Sequence, residues 1–417
     1  MHQKNLWQET SREKIAFGNL KKSITTDLVV VGGGFTGCST ALFAAKNGLS
    51  VTLIDQKIGY GGSGRNVGLV NAGLWMPPEK VESILGLDAG VKLNNALATA
   101  PDLVFSLIDD YEINCSANRS GTLHCAHSQR GLKDIQLRFK QLSERGAELE
   151  LLDKQQTEQR IGSSNFFGSL FNKKAGIINP LDYCLGLAKA AKSNGVNIYE
   201  STLATKIQSI NNDWLVKTPQ GSIKAKMLLI ATNAYQKPIE GLNPSKYTSV
   251  QYFQVATKAL PLDQVRSVLP NGEGCWDTAS VMSSFRLDTD NRLIIGGIGN
   301  LGHSGSKIHT NWARRKVERL FPQLKNIAIE YSWHGRIAMT GDHIPKIIKL
   351  GNNAYSVFGY SGRGIGPGTY FGKAVSDCLV RGDESFLPVD PLDNYQEPLS
   401  SIKRGLIEFG ATASHLL

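Results

Sequence analysis

Residues 27–55 constrain the fold more than any other stretch. Leu28, Val29, Val30 and Val31 form an apolar, β-branched run suited to a buried parallel strand. Gly32, Gly34 and Gly37 then give G-x-G-x-x-G, with Phe35 and Thr36 inside the motif. Residues 39–47, rich in alanine, are predicted as a helix that stops at Gly48. A second strand is predicted over residues 50–54, and Asp55 ends it, 18 residues after Gly37.

Each position has a physical role. Gly32 permits a tight turn, Gly34 leaves the backbone open to a pyrophosphate, and Gly37 lets helix and strand pack closely. The helix N-terminus offers unpaired N–H groups and a partial positive charge to phosphates. Asp55 can accept hydrogen bonds from the ribose hydroxyls of an adenosine, and its charge would repel a 2′-phosphate. NADP is therefore disfavoured, and NAD and FAD remain. A glycine-rich turn with no ligand is the plain alternative. The order strand, helix, strand, acid argues against it.

A chain of 417 residues can bury a large core and is expected to hold two domains. No apolar run reaches 18 residues, so no transmembrane segment is predicted. Residues 1–26 are polar and lack an apolar signal core, and the expected location is cytoplasmic. Leu6 and Trp7 are candidates to anchor this arm on the body. The net charge of +10 is scattered, with only short runs such as Arg314-Arg315-Lys316, which is no nucleic-acid stripe. A solvated basic surface is the plain reading; the charge leans slightly towards an anionic substrate. The six cysteines form no C-x-x-C and no zinc-like spacing with histidine, so they are read as reduced core residues and no metal is expected. Cys275, beside Trp276, is the one cysteine considered for a site.

Beyond Asp55 lies a second glycine-rich segment, with glycines at 59, 61, 62 and 64, then Arg65, Asn66 and Gly68. Ser63, Arg65 and Asn66 add hydroxyl, cationic and amide groups, which suits a loop lying along a flavin and its pyrophosphate. A strand at residues 354–358, a glycine loop at 359–369 and a helix at 369–381 repeat the logic of the first turn. That loop holds Gly362, Arg363, Gly364, Ile365 and Gly366. Partial positive charge there would favour negative charge on a reduced flavin ring.

G-x-G-x-x-G, a terminal acid and Gly62-Ser63-Gly64-Arg65-Asn66-Val67-Gly68 together resemble the D-amino-acid-oxidase-like family of FAD-dependent oxidoreductases, and most closely its gamma-glutamylputrescine oxidase branch. That branch usually has G-A-S-G-R-N-G-G; here Gly62 replaces the alanine and Val67 replaces a glycine. Thr232-Asn233-Ala234-Tyr235 resembles the segment that such proteins place near the adenosine and pyrophosphate. The resemblance spans roughly residues 27–382. It implies an α/β fold: a Rossmann-like, three-layer FAD-binding domain with a mixed antiparallel-sheet substrate domain. The expected division is an arm at 1–26, a FAD-binding domain at 27–95, 170–245 and 335–390, a substrate domain at 96–169 and 246–334, and a polar tail at 391–417. Further expected elements include a helix over 89–111, strands over 119–127, 203–210, 250–259, 280–287 and 292–298, and a helix over 310–320.

The resemblance also implies the chemistry. Hydride passes from a carbon beside an amine nitrogen to flavin N5, and the imine hydrolyses to a carbonyl plus an amine or ammonia. The substrate is then a small amine or amino acid, and O2 reoxidises the flavin. The FAD is expected to be non-covalent, because residues 333–340 lack the cysteine of covalent relatives and no histidine follows the first glycine motif. Arg286 is a candidate to grip a carboxylate, where several relatives place such an arginine; a surface arginine is the alternative. Tyr252, His303 and His334 are candidate polar groups around the flavin ring, and Trp276 a candidate pocket wall. Arg65 is expected at phosphate or the flavin edge, and Arg363 beside the reduced flavin. Two rival readings differ in kind. One is a dehydrogenase that passes electrons to a quinone or other carrier. The other is a flavoprotein subunit or maturation factor acting on a partner protein. An NAD-dependent dehydrogenase is disfavoured by the second and third glycine loops.

Overall fold

Alternation along the first strand assigns its residues to layers. In Ile24–Val31, Leu28 and Val30 pack among helices, while Val29 and Val31 pack against a β-meander on the opposite face. This is the central strand of the computed structural model, which describes residues 4–303 and 305–416. Its sheet runs in the order Lys346–Gly351, Ala354–Phe358, Gly221–Ile230, Ile24–Val31, Val51–Ile54, Asn197–Tyr199. Every neighbouring pair in that order is parallel except the first. Helices Phe35–Lys46, Pro180–Ser193 and Ile365–Arg381 cover one face. The hairpin Lys206–Ile210 and Asp213–Thr218 covers the other, giving the three layers that the family resemblance implies.

Two of those helices meet through small residues. A Cβ at Gly372 would sit 2.6 Å from the Thr36 carbonyl, and Ser39 Oγ donates to the Thr369 carbonyl at 2.7 Å. Phe35–Lys46 and Ile365–Arg381 are thereby locked together. Their N-terminal residues, Gly34 and Gly364, lack side-chain caps and line a single cleft.

The second sheet runs Ile329–Met339, Thr248–Ala259, Arg292–Ile298, Ser283–Leu287, Gly274–Asp277, Thr122–Cys125, Ser169–Asn172, Leu149–Leu152. Its pairs are antiparallel apart from Gly274–Asp277 with Thr122–Cys125. Alternation works here too. Leu123, Phe253, Cys275 and Phe285 enter a core packed against helix Ser306–Leu320, whereas His124, Tyr252, Gln254, Trp276 and Ser284 face the cleft.

Several expected boundaries move. The first helix begins at Phe35 and the last glycine-loop helix at Ile365, four residues before each prediction, because both start inside their glycine motifs. The helix expected over 89–111 is two, Leu87–Ala98 and Ala100–Asp110, divided at Thr99. The strand expected over 119–127 is confined to Thr122–Cys125, that over 203–210 to Lys206–Ile210, and that over 280–287 to Ser283–Leu287. The polar tail contains a helix, Ser400–Leu416. All six cysteines are buried and unbonded. Among the described residues, no helix is long and apolar enough to cross a membrane.

The tail helix carries a pH-sensitive contact. His415 Nδ1 lies 2.8 Å from His309 Nδ1, so one ring donates to the other, and each Nε2 is buried without a partner. An added proton would therefore have no acceptor. Burial, and then the neighbouring charges, push His415 down to about 3, and burial also lowers His309. A base with a lowered folded pKa binds protons more readily once released. Docking is thus complete above about pH 6.5, the ordinary histidine value, and weakens as pH falls below it. Amide exchange over residues 400–416 is expected to accelerate on the order of 10-fold between pH 7 and 5 after correction for intrinsic rates. Unchanged protection would contradict this reading.

Candidate active site

A cleft of about 700 Å³ lies between the two sheets, within the usual range for small-molecule sites. All three glycine loops line it. At its first turn, Gly32 has φ +114°, and a Cβ there would lie 2.8 Å from the Ala231 carbonyl carbon. Gly37 is tighter: a Cβ would lie 1.8 Å from the Gly32 carbonyl oxygen. Gly37 does not line the cleft; it is what lets the helix sit against the strand. Gly34, Phe35 and Thr36 do line it, and the Phe35 N–H donates to Ser63 Oγ at 3.1 Å.

Asp55 also lines the cleft, at the end of Val51–Ile54. One carboxylate oxygen accepts from the Gly33 N–H and the other from the Lys57 N–H. Burial raises its pKa, while those N–H donors pull the other way. Thr232, from the end of Gly221–Ile230, lies on the same wall.

The second loop is clamped from several sides. The Arg65 carbonyl accepts from Gln254 Nε2 at 3.1 Å and Trp333 Nε1 at 3.0 Å. Asn5 Nδ2 donates to the Gly64 carbonyl and Trp7 Nε1 to the Asn66 carbonyl, each at 2.9 Å. The Asn66 side chain closes the loop on itself, donating to the carbonyls of Gly62 and Ser63 and accepting from the Gly68 N–H. The Arg65 guanidinium lies 3.9 Å from the centre of the Tyr60 ring. Gly62, Ser63, Arg65, Asn66 and Val67 line the cleft. Gly68 faces away from it, where a Cβ would meet the Ile178 carbonyl oxygen at 2.1 Å.

Gly362, Arg363, Gly364, Ile365 and Gly366 bring the third loop to the same space. Opposite them stand the alternate residues of the second sheet. The Tyr252 hydroxyl is 2.8 Å from Ser284 Oγ, and burial raises the phenol's pKa, so it remains protonated. Gln254 is buried; its amide N–H is committed to the Arg65 carbonyl, which leaves Oε1 as a buried acceptor without a partner. His124 stacks on Trp276 with ring centres 3.4 Å apart, and burial, reinforced by Arg138 and Arg363, holds it well below its ordinary pKa and hence neutral.

Three sequence candidates lie elsewhere. Arg286 is buried outside the cleft lining: Nη1 donates to the carbonyls of Gly68 and Ile178, Nε donates to the Leu287 carbonyl, and Trp7 covers it at 5.2 Å. With three donors spent on backbone, it braces the second loop instead of meeting a substrate. His303 pairs with Glu408 of the tail helix at 2.8 Å, outside the lining. His334 is also outside it; burial and then the charges of Arg65 and Arg336 keep it neutral. Conversely, Trp75, His124 and Gln254 were not singled out from sequence. For His124 and Gln254, alternation on the second sheet was the usable signal.

The cleft fits a flavin dinucleotide. A tight glycine turn, an acid and two uncapped helix N-termini line the same space. Comparison with known proteins agrees. A family model described as FAD dependent oxidoreductase matches residues 27–378. The chain is 30% identical over 401 residues to gamma-glutamylputrescine oxidoreductase of Escherichia coli (strain K12), covering 95% of this chain and 93% of that one. It is 30% identical to the probable oxidoreductase OrdL of Haemophilus influenzae, covering 92% and 89%. Among solved structures, L-proline dehydrogenase from P. horikoshii superposes with a TM-score of 0.72 at 21% identity, covering 88% of this chain and 97% of that one. L-amino acid deaminase from Proteus vulgaris gives 0.73 at 16% identity, covering 90% and 99%. At such identities these structures speak to the fold.

Proposed function

The chain belongs to the FAD dependent oxidoreductase family, and from that premise we propose that it oxidises the C–N bond of a small amine or amino acid and is reoxidised by O2. The observation that carries this reading is the cleft itself, which joins a dinucleotide turn to a wall of polar and aromatic side chains from the second sheet. The names of two relatives, gamma-glutamylputrescine oxidoreductase and glycine oxidase, support an amino compound as substrate. When bound, FAD supplies the two-electron acceptor.

The chain's own residues supply binding and electrostatics. Asp55 would hold the ribose, and the N-terminus of Phe35–Lys46 would take the pyrophosphate. The N-terminus of Ile365–Arg381 would favour negative charge on a reduced ring bound beside it. Tyr252, held protonated and tied to Ser284, orients the substrate nitrogen. A non-covalent cofactor is part of this proposal, since among the described residues no cysteine lines the cleft.

The test is product analysis in air with a panel of primary and secondary amines. Equal amounts of carbonyl compound and hydrogen peroxide are expected from one substrate class. Carbonyl formation that needs an added quinone would make the enzyme a dehydrogenase. No carbonyl from any amine would contradict the proposal.

A further inference from the structure

The tail helix Ser400–Leu416 leaves one face uncovered. Ala411 and His415 pack inward, while Ile402, Leu406, Phe409 and Leu416 are between 58% and 74% exposed. With the exposed Ala413 they follow one another at spacings of four, three, four and three residues, the seam of two helices lying side by side. Two glycines beside the stripe, Gly405 and Gly410, have no role within the chain. A Cβ at either would meet nothing within 4 Å, neither has a positive φ, and each weakens the helix. The close approach of a second helix accounts for both.

Area and charge select the occupant. The four large side chains expose about 500 Å² per copy, so a self-pair would bury about 1,000 Å², the threshold of a specific interface. Of the positions flanking the seam, 403, 405, 410 and 412, only Lys403 is charged, and it is already paired with Glu397. Nothing at these positions repels an identical helix, and none of them offers a free cation to an anionic lipid surface. The helix also lies away from the cleft. His415 rests on Phe253 with ring centres 5.9 Å apart, whereas the strand neighbours Tyr252 and Gln254 face the cleft. A second copy on this face leaves both clefts open.

We propose that this face docks on the same face of a second copy, with the two tail helices antiparallel about a two-fold axis at Phe409. Ile402 and Leu416 lie seven residues to either side of Phe409, so the Ile402 of each copy meets the Leu416 of the other, and Gly405 lies opposite Ala413. Opposed helix dipoles favour this direction over the parallel one.

The test is sedimentation equilibrium of the flavin-loaded full chain. At about 100 µM, a concentration suited to an interface of this small size, the wild type is expected at twice its 45.4 kDa mass. Phe409→Glu is expected at the single mass, with flavin content and urea midpoint unchanged, because the side chain is exposed. Cysteine variants read the register, since all six native cysteines are buried. Mild oxidation is expected to link Phe409→Cys copies to one another. It should leave Ile402→Cys unlinked, because antiparallel pairing holds those positions about 20 Å apart, beyond the reach of a disulfide. A wild type that stays monomeric at about 100 µM would overturn the proposal, and so would a dimer that survives Phe409→Glu. Linkage of Ile402→Cys would mean a parallel pair and overturn the register. A monomer that sediments with phosphatidylglycerol vesicles, and loses this with Phe409→Glu, would assign the face to a membrane instead.

Discussion

Gly37→Ala is expected to produce a protein that folds poorly and retains almost no flavin. The added Cβ would lie 1.8 Å from the Gly32 carbonyl oxygen and 3.2 Å from Val30 Cγ1. The first obstacle is backbone, so no side chain can swing aside. Gly32 cannot yield either, because it sits at φ +114° against the backbone of Ala231 and Thr232. The helix must therefore move away from the strand, which opens the turn that receives the pyrophosphate. Overpacking of this kind costs about 3 kcal/mol. Placed wholly on the cofactor, that is on the order of 100-fold in affinity. Flavin absorbance per protein, with a urea midpoint measured on apoprotein, separates the two effects. A Gly37→Ala protein that keeps its full flavin would show that the close approach is not needed.

The second large effect is expected far from the cleft in sequence. Trp7 is 2% exposed, lies edge-on to Trp333 with ring centres 5.8 Å apart, and donates to the Asn66 carbonyl. Trp7→Ala removes a large buried ring, which costs about 3–5 kcal/mol of stability. It also frees the second glycine loop at Asn66 and uncovers Arg286, which braces the same loop through the Gly68 carbonyl. Flavin affinity is therefore expected to fall on the order of 10-fold, the worth of about one hydrogen bond to a positioned backbone. Urea unfolding and FAD titration measure the two quantities independently. A loss of stability with unchanged FAD affinity would mean that the arm packs on the body without bracing the loop.

What was legible in the sequence was local. Val29 and Val30 announce a strand buried on both faces, and Gly32, Gly34 and Gly37 announce the turn that follows, so the centre of the nucleotide-binding sheet could be read directly. Helix starts were read late because glycine has low helix propensity, yet Gly37 and Gly366 lie inside helices that packing stabilises. The tail helix was missed for a related reason: Gly405 and Gly410 interrupt it, and its buried anchors are few, Ala411 and His415. Once that helix exists, His303 has Glu408 as a partner, and its attraction as a catalytic group disappears. Arg286 shows the limit for single residues. Its strand position suits a carboxylate, but its guanidinium meets carbonyls from Gly68 and Ile178, which only the fold brings to it. The contacts of Arg363 with Trp75 and Trp276 join three distant segments and were equally invisible.

The most direct measurement is an anaerobic titration of the purified, flavin-containing chain with a panel of amines and amino acids, followed through the visible flavin band. Bleaching by at least one of them, with product carbonyl equal to flavin reduced, is the result that this account predicts. A flavin that no amine bleaches, in a protein that chemical reductant does bleach, would contradict it.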